Sequence, residues 1–81
     1  MSESSSHLTL ATLAPGDRAV VRAVDASDEL GRRLLEMGFV AGTELRIVRV
    51  APFGDPMEVS LHGYNVSLRR RDAGGISVER I

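Results

Sequence analysis

Ten arginines, eleven carboxylates and two histidines are the groups in this 81-residue chain that could bind or move charge; there is no cysteine, and every basic residue is arginine, so there is no lysine. Without cysteine there is no thiolate metal site, no cysteine nucleophile and no disulfide framework. Without lysine there is neither a P-loop lysine nor a Schiff base. A serine hydrolase would need a G-x-S-x-G elbow, which is absent, and would draw its base from His7 or His62, neither well placed. The expectation is a protein that is not an enzyme.

Metal chemistry fares no better. His7 and His62 share no element and have no ligand spacing, and the cluster Asp25, Asp28 and Glu29 is explained by capping and charging a helix start. No intrinsic metal and no cofactor is expected. The run Arg69-Arg70-Arg71 could meet phosphate or carboxylate, but nucleic-acid modules add stacking aromatics, and this chain has only Phe39, Phe53 and Tyr64 with a net charge of −1. It reads as a solvated strand end, with no nucleic-acid partner. Asn65-Val66-Ser67 matches a glycosylation acceptor, a chance match without a secretory signal.

Gly38 and Gly42 have the G-x-x-x-G spacing of packed membrane helices, yet Glu36 and Glu44 flank them and the ~20 apolar residues of a span are missing. A phosphate loop would continue into Lys and a helix, whereas Thr43 and a strand pattern follow. The glycines therefore read as chain reversals, with Gly38 ending a helix and Gly42 in a turn. Direct membrane insertion is not expected. The opening "MSESSSH" is too polar for a signal peptide, so residues 1–7 read as a disordered leader, residues 8–81 as one domain, and the compartment as the reducing cytoplasm.

The elements that must position any site follow from periodicity. "APGD" turns the chain at Pro15 and Gly16, and a strand follows at about 18–24 with Ala19, Val21 and Ala23 on one face. "ASDELGRRLLEMG" is the helix, capped by Ser27 or Asp28, with Leu30, Arg33, Leu34 and Met37 at i, i+3, i+4 and i+7. Gly31 inside it implies close packing on a strand or a later start. "TELRIVRV", "MEVSLH", "YNVSLR" and "ISVERI" are strands. Their inward sets are Leu45 and Ile47; Met57, Val59 and Leu61; Tyr64, Val66 and Leu68; and Ile76, Val78 and Ile81. Gly63 turns a hairpin, and "RRDAGG" is a short turn. The expected fold is mainly β: a small SH3-like, five-stranded, partly open barrel with one short α-helix between strands 1 and 2. With no tryptophan and few aromatics it lacks the groove on which such barrels dock polyproline. Phe39 and Phe53 fall in turns, where a large apolar side chain is more exposed than usual, and Arg33 lies on the helix edge.

"LATLAPGDRAVV", "RRLLEMGFVAGTEL" and "VAPFGDPMEVSLHGYNVSLRRRDAGGISV" together resemble the FeoA family over residues 8–81, most specifically at Arg33 to Phe39, at Gly54 to Pro56 and at Gly63 to Arg69. The resemblance implies an SH3-like cytosolic accessory of ferrous-iron uptake that acts by binding the cytosolic region of the FeoB transporter, and it does not imply that the chain carries iron. Arg33, Phe39, Phe53, Asp55 and Arg69 are the candidate partner contacts under that reading, and Gly16, Gly38, Gly42 and Gly63 the structural turns. Self-association is the other partner it allows. Two departures stand out: Ala41 where the family often has proline, and Arg70 and Arg71 where acidic residues are common. The chain also resembles the C-terminal SH3-like module of DtxR-type iron-dependent repressors, which implies the alternative of a metal-responsive regulatory module.

Overall fold

A computed structural model describes residues 8–81. A 3-10 turn at Leu10–Thr12 leads into β1 (Arg18–Val24), α1 (Glu29–Glu36), β2 (Glu44–Val50), β3 (Met57–Leu61), β4 (Tyr64–Leu68), α2 (Arg70–Ala73) and β5 (Ile76–Arg80). All pairing is antiparallel, in the order β4-β3-β2-β1-β5. The leader expected at residues 1–7 lies outside the described residues.

Bulges at Val21/Ala23 in β1 and at Ile47/Arg49 in β2 shift the register. A bulge bends its strand and raises the local twist, which lets a narrow sheet wrap one core. That core holds Leu10, Leu13, Val21, Leu34, Phe39, Leu45, Ile47, Met57, Val59, Leu61, Ile76 and Val78, all buried. The bulge also reverses the alternation of β1: Ala23 is exposed, and Val24 is the residue packed against the core.

The helix sits where its pattern placed it. Asp28 Oδ1 accepts the Gly31 amide at 2.9 Å as the N-cap. A Cβ on Gly31 would lie 1.7 Å from the Asp25 carbonyl oxygen, so this position is glycine because the helix packs directly on the backbone leaving β1. Leu34 is buried, while Leu30 and Met37 are only partly covered at the edge. Gly38 follows the Met37 C-cap with φ +110, and Gly42 turns into β2 with φ +94. Gly16 and Gly63 also have positive φ.

Two inward assignments and one turn change. Tyr64 is 46% exposed, because β4 is the edge strand and the Tyr64 side chain reaches past the core to the end of α1, where Oη bonds the Met37 carbonyl oxygen. Ile81 is exposed past the end of β5. "RRDAGG" is a short helix, α2, with Ala73 buried beneath it.

Candidate functional site

Residues 51–56 join β2 to β3. The register Leu45↔Leu61 and Val50↔Met57 sets this loop at one end of the β2–β3 pair, with the His62–Gly63 turn and the segment entering β2 at the other. Seven residues of β2 separate the two ends, roughly 20 Å at strand rise.

At the loop end the chain is tied from several sides. The Gly54 amide donates to the Ala51 carbonyl oxygen at 2.7 Å and the Ala51 amide to that of Pro56 at 3.0 Å, which closes the loop on itself. Asp55 Oδ1 accepts the Arg70 amide at 2.9 Å, and Asp55 Oδ2 lies 4.0 Å from Arg69 Nη1. Arg70 reaches back: Nε donates to the Gly54 carbonyl oxygen at 2.8 Å, and Nη1 donates to that of Ala11. The loop, α2 and the 3-10 turn are thereby one fastened corner. At its tip Phe53 is 99% exposed.

A ring held in water by a fastened loop forgoes the roughly 1.5–3 kcal/mol that burial of such a side chain contributes. Phe39 shows the contrast. Its side chain is 0% exposed, which overturns the expectation that it stands out from its turn. The reason is local: Gly38 lets the chain reverse tightly enough for the Phe39 amide to donate to the Leu34 carbonyl oxygen at 3.1 Å, and the ring drops under the helix into the core. Phe39 is a core residue and is corrected as a contact.

The candidate contacts thus divide. Phe53, Asp55 and Arg69 are brought together at the loop corner. Arg33, exposed on α1, belongs to the half of the chain that enters β2 at the opposite end. Arg70 was missed, because it sits in an arginine run that reads as solvated, and its acceptors lie 16 residues away at Gly54 and 59 away at Ala11. Asp55 in a Gly-Asp-Pro turn was the one signal that pointed to it.

Beside the loop lies a shallow recess of about 260 Å³, floored by Ala51, Pro52 and Pro56 and walled by Arg49, Glu58 and Ser67. Arg49 Nε donates to Glu58 Oε1 at 2.8 Å and Asn65 Nδ2 to Glu58 Oε2 at 2.8 Å. The Arg49 hydrogen bond first, and the Asn65 bond second, hold the Glu58 carboxyl below its ordinary range, so it stays charged at neutral pH. An apolar knob next to a small groove with a charged rim has the chemistry of a protein-binding surface. Among the described residues, no group of three or more His, Cys, Asp or Glu is placed to hold a metal ion, and no helix is long and apolar enough to cross a membrane.

The model of the FeoA domain matches residues 8–80. Over 74 residues, 91% of this chain, the sequence is 45% identical to the Fe(2+) transport protein A/Fe(2+) transporter FeoB fusion protein of Porphyromonas gingivalis, but it spans only 9% of that relative's length. The solution structure of a FeoA-like protein from Clostridium acetobutylicum superposes with a TM-score of 0.86 at 34% identity, covering 91% of this chain and 86% of that one. The Stenotrophomonas maltophilia FeoA crystallised with zinc, described as a procaryotic SH3 domain protein, gives 0.79 at 37% identity over 89% of each chain. A manganese-dependent transcriptional repressor shares the fold at 22% identity, with a TM-score of 0.80 over 90% of this chain and 40% of its own. The five-stranded sheet is therefore SH3-like, and with the domain matched from residue 8 to residue 80 this chain belongs to the FeoA family.

Proposed function

We propose that this chain is a non-enzymatic cytoplasmic accessory of ferrous-iron uptake that binds the cytosolic region of a FeoB-like transporter, with the Phe53 loop as its contact. The observation that carries the reading is Phe53, 99% exposed on a loop whose base is fastened through Asp55 and Arg70. A fixed aromatic loses little conformational freedom on docking, which is what makes such side chains binding anchors. The choice of partner is supported by the Porphyromonas gingivalis relative, in which transport protein A and FeoB are one fusion protein. Tethering of that kind raises the effective concentration of one part for the other.

The test is capture of the transporter's purified cytosolic region by the wild-type chain and by Phe53→Ala. An anchor of this type contributes about 2 kcal/mol or more, so Kd should rise roughly thirtyfold while the amide spectrum of the variant stays dispersed. Undiminished capture by a folded variant removes Phe53 from the interface. A second copy of the chain is the competing occupant: sedimentation that shifts from dimer to monomer on Phe53→Ala, with capture unchanged, would assign the loop to self-association.

A further inference from the structure

We infer that the outer face of the sheet, at the end remote from the Phe53 loop, carries an oxyanion site centred on Arg46 and Arg18. The two arginines are direct cross-strand partners, Arg18 on β1 opposite Arg46 on β2. Residues so paired have Cβ atoms about 5 Å apart, and like charges in that arrangement destabilise a sheet. Nothing in the alternation of the two strands requires it, since both side chains point away from the core that Ala19, Leu45 and Ile47 fill.

Among the described residues, one of the two charges is answered and the other is not. Glu44 Oε2 lies 3.2 Å from Arg18 Nη2. Among the described residues Arg46 has no carboxylate within ion-pair distance. It faces a recess of about 280 Å³ whose polar lining includes Arg18, Glu44, Ser60 and His62, beside Leu45 and Leu61. Ser60 is the β3 partner of Arg46, so its side chain stands on the same face beside the Arg46 guanidinium. Two guanidinium forks and a hydroxyl offer more hydrogen-bond donors than the one carboxylate beside them can accept, and the recess has room for one phosphate or carboxylate group. Bidentate pairing with such an anion is what the guanidinium geometry favours.

The ligand is thus an oxyanion that neutralises the Arg18–Arg46 pair, supplied either as phosphate or as the carboxylate of an acidic peptide segment. This inference does not rest on the transporter reading, because it uses no residue of the Phe53 loop.

The test is an amide titration of the full chain with inorganic phosphate and, separately, with a short peptide rich in Asp and Glu. Saturable shifts should appear at Arg46, Ser60 and Gly63 and leave residues 51–56 unmoved. Arg46→Gln should lower affinity by about tenfold or more, and Arg71→Gln, which alters an arginine whose side chain is 90% exposed outside the recess, should not change it. Glu44→Gln should tighten binding by removing the competing carboxylate. Saturation by phosphate alone assigns the free anion and by the peptide alone a protein partner; linear, unsaturating shifts, or shifts unchanged in a folded Arg46→Gln chain, overturn the site.

Discussion

Arg70 donates from Nε to the Gly54 carbonyl oxygen at 2.8 Å, and the same guanidinium bonds the Ala11 carbonyl oxygen, so one side chain joins the Phe53 loop to the start of the domain. Its amide is held separately by Asp55. Arg70→Ala therefore removes the side-chain tie on the loop and leaves the Asp55 bond to the backbone of α2 in place. With two charge-assisted bonds lost at a partly buried position, we expect a cost of about 2 kcal/mol in urea unfolding. Transporter capture should also fall although Phe53 is intact, and Arg70→Lys should restore only part of both, since an ammonium cannot span two carbonyl oxygens as a planar fork does. Capture at the wild-type level by Arg70→Ala would show that the loop does not depend on the Arg70 side chain for its contact.

Gly31→Ala should be destabilising, against helix propensity. In an exposed helix interior the exchange gains about 1 kcal/mol. Here the new methyl would meet the Asp25 carbonyl oxygen at 1.7 Å and the Ala26 Cα at 2.9 Å, both backbone atoms that yield only if the helix moves off β1. We expect a net loss of about 2 kcal/mol or more, with α1 amides losing hydrogen-exchange protection first. A stabilised variant would mean that α1 lifts from the turn at no cost.

What the sequence disclosed, and what it hid, divides by range. The strands, a cap at Ser27 or Asp28 and the Gly38 stop follow from local rules of spacing and backbone, while the structure decides for Asp28 as the cap and for close packing, of the two readings open, at Gly31. The errors need tertiary knowledge. Phe39 and Phe53 both lie in glycine-containing turns, and only the direction of the reversal decides that one ring enters the core and the other meets water. Ala23 failed because a bulge, unsigned in the sequence, reverses the strand's phase. Arg70 and the Arg18–Arg46 opposition were hidden for the same reason: their meaning lies in partners 16 to 59 residues away and in strand register.

Glu58 gives the chain an acid-sensitive contact beside the loop. Its folded pKa is depressed, chiefly by the Arg49 hydrogen bond. Its contribution is therefore complete above the pKa of the unfolded carboxyl and is lost as pH falls through the lower folded value, because the unfolded chain binds the proton first. Urea midpoints measured from pH 7 down to pH 3 should fall over that window. Glu58→Gln should flatten the part due to this group and leave the contribution of Asp25, whose pKa is lowered by its hydrogen bonds with Ser27. High salt should narrow the difference, since the pair lies at the surface. Parallel curves for the two chains would exclude Glu58 as a source of acid sensitivity.

The last turn of α1 is finished by the β3–β4 hairpin, and this makes a coupled prediction. Tyr64 Oη donates to the Met37 carbonyl oxygen at 2.6 Å, and His62 Nε2 lies 3.3 Å from that of Gly38. Carbonyls at a helix end have no partner within the helix, so the hairpin supplies what the helix lacks. Tyr64→Phe should cost about 1 kcal/mol and raise exchange in the last turn, with little effect on β4 itself. Gly38→Ala should cost more, because φ is +110 and the new Cβ would meet His62 Cδ2 at 2.8 Å and Tyr64 Oη at 3.0 Å. One of those obstacles is the hydroxyl that Tyr64→Phe removes. The double variant should therefore be less destabilised than the sum of the two by about 0.5 kcal/mol or more, the size of coupling seen between residues in contact. Strict additivity would show that the hairpin and the helix end are independent and that Tyr64 merely rests against α1.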